Sequence, residues 1–350
     1  MENIAVKSIQ FTEQAVTTRN WNLILKNYRE PDTPRSIFEL LITAGAFVLF
    51  WVLMWITLQI SYFLTLLLAL PTAGFLVRLF LIQHDCGHGA FFRKRKTNIW
   101  VGRVIGTVTL TPFDYWRRSH NIHHATSGNL EQRGIGDIQT FTVNEYLALT
   151  KWRRFCYRLY RHPLFMFGFA PAYLFLLQYR LPFGLMLEGW LPWLSTMITN
   201  LSIGAIVITM IWLIGIGPFL LVHVPIMLLA ATIGVWLFYV QHQFEDTYWA
   251  EQETWSLPDA ALSGSSHYVL PGVLRWFTAN IGIHHVHHLC SRIPFYRLPQ
   301  VLRDHPELAD TGKLSIIESL RCVRLALWDE KCRRLISFNE LSQQRDSHHE

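Results

Sequence analysis

Long apolar runs alternate with polar stretches along the chain, and four of the runs are long enough to cross a bilayer. A transmembrane helix needs about 20 consecutive apolar residues, because each residue adds about 1.5 Å toward a hydrocarbon core of about 30 Å. Residues 38–58, 61–83, 193–215 and 219–241 reach this length and hold almost no ionisable residues beyond Arg78. The pattern therefore predicts an all-α integral membrane protein with four transmembrane helices.

The four runs form two hairpins, because only Gln59-Ile60 and Ile216-Gly217-Pro218 separate the members of each pair. Links this short leave no room for a domain, so both hairpin tips face one side of the membrane. We expect the rest of the chain to form a helical cap on the other side. We divide the chain into an N-terminal segment over 1–37, a single domain over 38–330 and a polar tail over 331–350.

Two further apolar stretches, 99–113 and 164–192, are interrupted by prolines. These prolines are Pro112, Pro163, Pro171, Pro182 and Pro192. We interpret both stretches as interfacial or re-entrant segments at the surface of the cap. A single additional span would separate the histidine clusters described below, because it would send part of the cap to the opposite face.

Composition and charge fit a membrane protein with a basic inner face. Hydrophobic residues make up 51% of the chain and charged residues 16%, well below the usual quarter for soluble domains. Lys and Arg flank the first span, and the basic run 93–96 follows the second. By the positive-inside rule the cap is cytoplasmic, which in a bacterium means the inner membrane. We expect the net charge of +6 to attract anionic headgroups, not nucleic acid.

Three short clusters contain half of the 16 histidines of the chain at ligand spacing. The clusters are 84–88 (HDCGH), 120–124 (HNIHH) and 284–288 (HHVHH). Residues three or four apart share one face of a helix, so each cluster can direct its imidazoles to one point. The resulting set is His84, His88, His120, His123, His124, His284, His287 and His288. This is more imidazole than one ion can use, and it predicts a site for two metal ions.

His242 is a candidate ninth ligand. His84 lies roughly 35 Å along the helix that begins near Ser61, and His242 lies roughly 35 Å along the helix that begins near Phe219. Both residues should therefore leave the membrane at the same depth. His223 lies near the opposite end of its helix, and we expect it to be interfacial and not a ligand.

The surrounding residues narrow the choice of metal. Structural zinc usually takes four ligands and favours thiolates, but the five cysteines include no Cys-x-x-Cys pair. An imidazole shell suits iron, copper or zinc.

Few carboxylates lie close in sequence to the histidines, and the candidates among them are Asp85, Asp137 and Glu245. We expect them to accept the second ring N–H of a ligating histidine, with ordinary solvation or arginine pairing as the alternative.

The three clusters, in this order and between these spans, resemble the histidine boxes of membrane fatty acid desaturases. The flanking segments HDCGHGAFF, YVQHQFEDTYW and NIGIHHVHHLCSRIPFYRL are similar to bacterial and cyanobacterial acyl-lipid desaturases, including the delta-12 (omega-6) and bacillus phospholipid types. The resemblance extends over about 35–305. It implies a non-haem di-iron centre held by the eight box histidines and His242, with His285 as a spare or supporting residue. The short spacing of the first box fits acyl-lipid better than acyl-CoA substrates.

This resemblance also implies the reaction. Two iron ions and O₂ would introduce a cis double bond into an acyl chain esterified in a membrane lipid. The electrons would come from an external carrier such as ferredoxin and its reductase. Basic residues of the cap are candidates for carrier docking, although they could equally reach toward lipid headgroups. They are Arg117, Arg118, Arg153 and Arg154.

A di-iron hydroxylase of alkanes, fatty acids or carotenoids is the main alternative to a desaturase. A metal transporter would need polar ligands within the spans, and a scaffold would need no histidine boxes.

Overall fold

The computed structural model describes residues 20–181 and 189–346. Predictions that concern 1–19, Pro182 or 347–350 lie outside these residues. Helices account for most of the described chain. They are α1 Trp21–Leu25, α2 Thr33–Thr57, α3 Tyr62–His88, α4 Arg95–Val108, α5 Phe113–Thr126, α6 Val143–Ala148, α7 Lys151–Tyr160, α8 Ala170–Leu176, α9 Leu191–Ile214, α10 Ile216–His242, α11 Leu257–Ser263, α12 Gly272–Phe277, α13 His284–Leu289, α14 Leu298–Asp304, α15 Pro306–Ala309, α16 Ile316–Cys322 and α17 Phe338–Asp346.

Five short strands accompany the helices: β1 Phe141–Thr142, β2 His267–Tyr268, β3 Lys313–Leu314, β4 Leu325–Asp329 and β5 Arg334–Ser337. They form a three-stranded sheet in the order β1-β4-β5 and a parallel pair of β2 and β3. Strand β1 runs parallel to β4, and β5 runs antiparallel to it. The sequence pattern did not predict these strands, because each is only two to five residues long.

The four predicted spans are confirmed as helices α2, α3, α9 and α10, each long and apolar enough to cross a membrane. Helix α3 extends five residues beyond the predicted end at 83 and so includes the first histidine box. It is the most buried of the four spans. In the most apolar segment of α3, 61% of the residues are buried, whereas only 6% are buried in the corresponding segment of α9. Most of the surface of α9 is thus left for lipid.

The link between the second pair of spans differs from the prediction. Residues 216–218 belong to helix α10, and the turn is made at Gly215, which has φ 85° and ψ 155°. A proline in the first turn of a helix loses no hydrogen bond, because the first N–H groups have no partner within the helix. Pro218 is therefore compatible with the start of α10, and glycine supplies the positive φ of the turn.

In their described parts, the two proline-interrupted stretches form only helices that are too short to span a bilayer. The first forms α4, whose 14 residues extend about 21 Å. The second is broken into a π-helical turn over Phe165–Phe169, helix α8 and a 3₁₀ turn over Gln178–Arg180. Among the described residues, the structure therefore agrees with interfacial segments on the side of the histidine boxes.

The proposed polar tail contributes to the cap. Leu335 and Ile336 of β5 are fully buried, and α17 follows without a break. Leu341 of α17 packs in the same small core as Tyr146 and Tyr157 of α6 and α7. The boundary at 330 stays a prediction, but residues 334–346 fold onto the preceding domain.

Candidate metal centre

Four helices bring the predicted ligands together above the ends of the spans. The first box occupies the last turn of α3, and the second lies in the C-terminal half of α5. The third box forms most of α13, and His242 is the last residue of α10. Gly89 ends α3 in the left-handed conformation, and its N–H bonds the carbonyls of Asp85 and Cys86. The chain can thus turn away directly after His88.

The nine histidines separate into two groups whose ligating atoms lie within 4.8 Å of one another. The first group is His84, His88, His120, His124 and His287. The second group is His123, His242, His284 and His288. Both groups draw on the second and third boxes, because neighbouring residues on a helix point to different sides. Each group could hold one metal ion.

The contacts within each group are between Nε2 atoms. In the first group, His120 Nε2 lies 3.1 Å from the Nε2 atoms of His88 and His124. In the second, His242 Nε2 lies 3.1 Å from that of His123 and 3.0 Å from that of His284. These close approaches bring the Nε2 atoms of each group toward one point, as the ligands of a metal ion require.

The outer ring nitrogens indicate that a cation belongs between His123 and His242. The Nδ1 of His123 lies 2.5 Å from Asp137 Oδ1, and the Nδ1 of His242 lies 3.1 Å from the carbonyl oxygen of Gly264. These oxygens only accept, so each Nδ1 carries a hydrogen. If both rings were neutral, two Nε2 lone pairs would face each other at 3.1 Å, and either a shared proton or a metal ion would remove that repulsion.

The environment of the rings keeps them available to a metal. Burial lowers the pKa values of the cap histidines well below the ordinary range, and the charge of neighbouring imidazoles lowers them further. This applies to His120, His124, His284, His287 and His288. A metal binds the neutral imidazole, so these residues need not lose a proton first. The donor set therefore fits metal ions, and nitrogen ligands without thiolate suit iron, copper or zinc.

The two groups adjoin but differ in exposure. The rings of His124 and His288, one from each group, stack with centroids 4.1 Å apart. All four histidines of the second group are buried, whereas His88, His120 and His124 of the first are partly exposed. Asn121 and Ala125, on the same helix as the second box, are exposed. The first group thus lies nearer to the outer surface of the cap.

Asp137 reaches His123 through a glycine-containing loop. Gly136 has φ 75°, and a Cβ at this position would lie 3.0 Å from the carbonyl oxygen of Ser119 and 3.2 Å from His123 Cβ. Only glycine combines this conformation with such a close approach to α5. The predicted contact between Asp137 and a box histidine is therefore present, and Asp137 holds the ring of His123 in one orientation.

The other supporting residues fall into different places. Asp85 Oδ1 lies 3.3 Å from His84 Nδ1, and its Oδ2 accepts a 2.7 Å bond from the Phe295 N–H. The expectation that Glu245 supports a ligating histidine needs correction. Its carboxylate is 61% exposed and accepts a 2.8 Å bond from Arg334 Nη1, which is the arginine pairing given as the alternative. His285 belongs to neither group. It is fully buried with its Nε2 2.8 Å from the carbonyl oxygen of Leu308, and burial lowers its pKa to about 3.

Two aromatic residues border the site and were not predicted. Trp116 stacks on His120 with centroids 4.6 Å apart, and Phe238 lies 5.1 Å from His123 and 5.4 Å from His242. Each precedes a candidate ligand by four residues on the same helix. That spacing was the signal that could have identified them, since it places both rings on the ligand face.

Comparison with known proteins agrees with this arrangement. Residues 60–319 match the family model described as fatty acid desaturase. A fatty acid desaturase of Bacillus subtilis (strain 168) is 42% identical over 340 residues, which cover 97% of this chain and 93% of the relative. An sn-1 oleoyl-lipid 12-desaturase of Arthrospira platensis is 28% identical over 70% of this chain and 69% of its own length. An sn-1 acyl-lipid omega-3 desaturase (ferredoxin) of Synechocystis is 34% identical over 27% of this chain and 26% of its own. These names favour desaturation over hydroxylation.

Proposed function

Because this chain belongs to the fatty acid desaturase family, we propose that it introduces a double bond into an acyl chain esterified in a membrane lipid. The convergence of nine imidazoles in two groups supports this proposal most directly. The lipid substrate is supported by relatives whose names specify acyl-lipid and oleoyl-lipid substrates. The largely unburied span α9 would also leave the domain open to the bilayer.

Two iron ions, one in each histidine group, would supply the oxidising power that no side chain has for removing hydrogen from unactivated CH₂ groups. The reaction consumes one O₂, two hydrogen atoms of the acyl chain, two electrons from the carrier and two protons from the solvent. It yields the double bond and two molecules of water. Imidazole ligation of both ions follows from the ligand sets described above.

The protein itself would position the acyl chain and keep water away from it. Trp116 and Phe238 border the two histidine groups, and Phe80 packs edge-on against Trp116 with centroids 5.3 Å apart. An acyl chain lying along these rings would have its CH₂ groups beside the site in an apolar environment. Asp137 would hold His123 in the tautomer that presents Nε2 to the metal.

Expression in a host that lacks the product tests the reaction. The intact chain should give a new unsaturated acyl species in the extracted phospholipids, detected by gas chromatography with mass spectrometry. The His120→Ala variant should give none, because His120 lies at the centre of the first group. A hydroxylated product would contradict the proposal, and the position of the double bond would identify the carbon pair.

We also propose that an acidic electron carrier docks beside the first histidine group on the cytoplasmic side. Arg117 lies on α5 three residues before His120, and its side chain is 26% exposed beside Asp114, 3.3 Å away. The name of the Synechocystis relative includes ferredoxin, which supports a carrier of that kind. The basic run 93–96 on the same side of the spans supports the orientation.

Reduced ferredoxin added to sealed inside-out vesicles should therefore oxidise at a rate that depends on the enzyme. In Arg117→Glu/Arg118→Glu the half-saturating ferredoxin concentration should rise by about tenfold, because two attractive charges become repulsive. Arg303→Glu/Lys331→Glu is the control, since both side chains are exposed on the cap and the change in charge is the same. If both variants retain iron and have equal half-saturating concentrations of ferredoxin, the proposed docking site is contradicted.

A further inference from the structure

Helix α7 exposes an apolar stripe on the side that faces away from the protein. Trp152, Phe155 and Leu159 are 70%, 55% and 49% exposed, and their spacing of three and four residues places them on one face. The rings of Trp152 and Phe155 stack with centroids 5.5 Å apart. Tyr157, which points the other way, is buried and donates a 2.5 Å hydrogen bond to the carbonyl of Ala326.

The stripe continues into a surface that packs against a span. Large apolar residues after α7 are also exposed, and they are Leu164, Phe169, Tyr173, Leu176 and Leu177. In the same segment, Phe167 lies 5.1 Å from Trp236 of α10, and its carbonyl accepts a 2.8 Å bond from Thr232. The exposed apolar surface thus runs from a membrane-spanning helix to α7. This continuity indicates that the stripe of α7 rests in the interfacial layer of the bilayer.

A cationic groove lies beside this stripe, between α6, α7 and α17. Its volume is about 520 Å³, and Phe155 forms part of its wall. Four cations line it: Lys151, Arg154, Arg158 and Arg345. Asp346 is the carboxylate among the described lining residues, and no described carboxylate lies within 4.0 Å of any of the four cations. The described lining residues therefore carry a net positive charge.

Two of the guanidinium groups are held in place by the protein. Arg158 Nε donates a 2.7 Å bond to the Tyr146 hydroxyl, and Arg154 Nε donates a 3.0 Å bond to the carbonyl of Leu149. Arg154 also donates to the carbonyl of Leu147. Such fixed guanidinium groups favour phosphate, because less side-chain freedom is lost on binding. Arg154, one of the candidates for carrier docking, thus lines this groove.

We propose that the groove binds the headgroup phosphate of an anionic phospholipid in the adjacent leaflet, whose acyl chains lie against Trp152 and Phe155. A cationic pocket next to an exposed aromatic stripe fits an amphipathic ligand better than a soluble acidic protein, which would leave the aromatic rings in water. The site shares no residue with either histidine group. It is thus an accessory lipid site, independent of the oxidation chemistry.

Native mass spectrometry of the full chain in detergent doped with phosphatidylglycerol or phosphatidylcholine tests the site. The wild type should retain phosphatidylglycerol preferentially. Lys151→Glu/Arg345→Glu should weaken this retention by about tenfold or more, because two attractive charges are reversed. The control Arg303→Glu/Lys331→Glu, with the same change in net charge, should retain the lipid as the wild type does. Equal retention in both charge-reversal variants would overturn the proposal.

Two further measurements separate lipid from other anions. Trp152→Ser/Phe155→Ser keeps the groove cations, so lipid retention should fall only if the acyl chains contact the stripe. The bound lipid can be challenged with inorganic phosphate and, separately, with a second phospholipid. If the two displace it equally well, the proposal is overturned in favour of a simple anion site. A rise in the half-saturating concentration of ferredoxin in Lys151→Glu/Arg345→Glu, with unchanged lipid retention, would overturn it in favour of a carrier site.

Discussion

Replacing His242 by alanine should remove the metal ion of the second histidine group and abolish desaturation. His242 is the central residue of that group, with its Nε2 3.1 Å from His123 and 3.0 Å from His284. Loss of a supporting partner of a ligand typically lowers metal affinity or activity by about 10–100-fold. Loss of the ligand itself should have a larger effect, so activity should fall by more than about a hundredfold.

Iron content per chain is the decisive measurement for this variant. The first group shares no residue with the second, so it should keep its ion, and the iron content should fall by half. His223→Ala is the matched control, because His223 lies on the same helix and stacks on Phe219, 5.1 Å away, outside both groups. Full iron content in His242→Ala would contradict its assignment as a ligand, and equal losses in both variants would indicate general damage to α10.

Local periodicity was sufficient to predict the candidate metal site. Four apolar runs gave the spans, and spacings of three and four residues gave the box histidines, because both depend on the geometry of a single helix. Matching distances along two helices then added His242, which indeed lies beside His123 and His284. The family resemblance supplied the di-iron chemistry, which the residues alone left open between metals.

The division of the histidines between two groups could not be predicted, because it depends on how four helices pack. His123 and His124 are neighbours in the chain but belong to different groups. The same limit explains Glu245, whose position near a candidate ligand in sequence suggested support for an imidazole. After His242 the helix ends, and the carboxylate of Glu245 turns toward Arg334, nearly ninety residues away.

The partner of Arg78 in the membrane domain also depends on helix packing and could not be predicted from the sequence. Arg78 was the one charged residue noted in the apolar runs. Its partner is Glu39, which lies within the first predicted run. Arg78 Nη2 lies 2.5 Å from Glu39 Oε2, and the two side chains are each only 2% exposed. The guanidinium also donates to Thr43 and to the carbonyl of Trp276. The pair therefore joins α2 and α3 to α12 in a buried environment.

Replacing Glu39 by glutamine should lower the free energy of unfolding by about 3–5 kcal/mol, because the charge of Arg78 stays buried without a counter-ion. Glu30→Gln is the matched control. Its carboxylate is 77% exposed and lies 3.7 Å from Arg93, so its removal should change stability by no more than about 1 kcal/mol. Denaturant or thermal unfolding in detergent measures both. Equal stability of the two variants would show that the buried pair contributes no more than an exposed one.

A second substitution distinguishes loss of a charge partner from loss of packing. In Glu39→Gln/Arg78→Met no buried charge is left unpaired, because Arg35, which also pairs with Glu39, is 53% exposed. Much of the lost stability should therefore return, although the carbonyl of Trp276 loses a donor. Arg78 also lies over the Phe295 ring, 5.0 Å from its centroid, and the Phe295 N–H bonds Asp85 beside His84. If the pair acts on stability alone, the double variant should keep its full iron content. A stable double variant without iron would instead mean that Arg78 positions the first histidine box through Phe295.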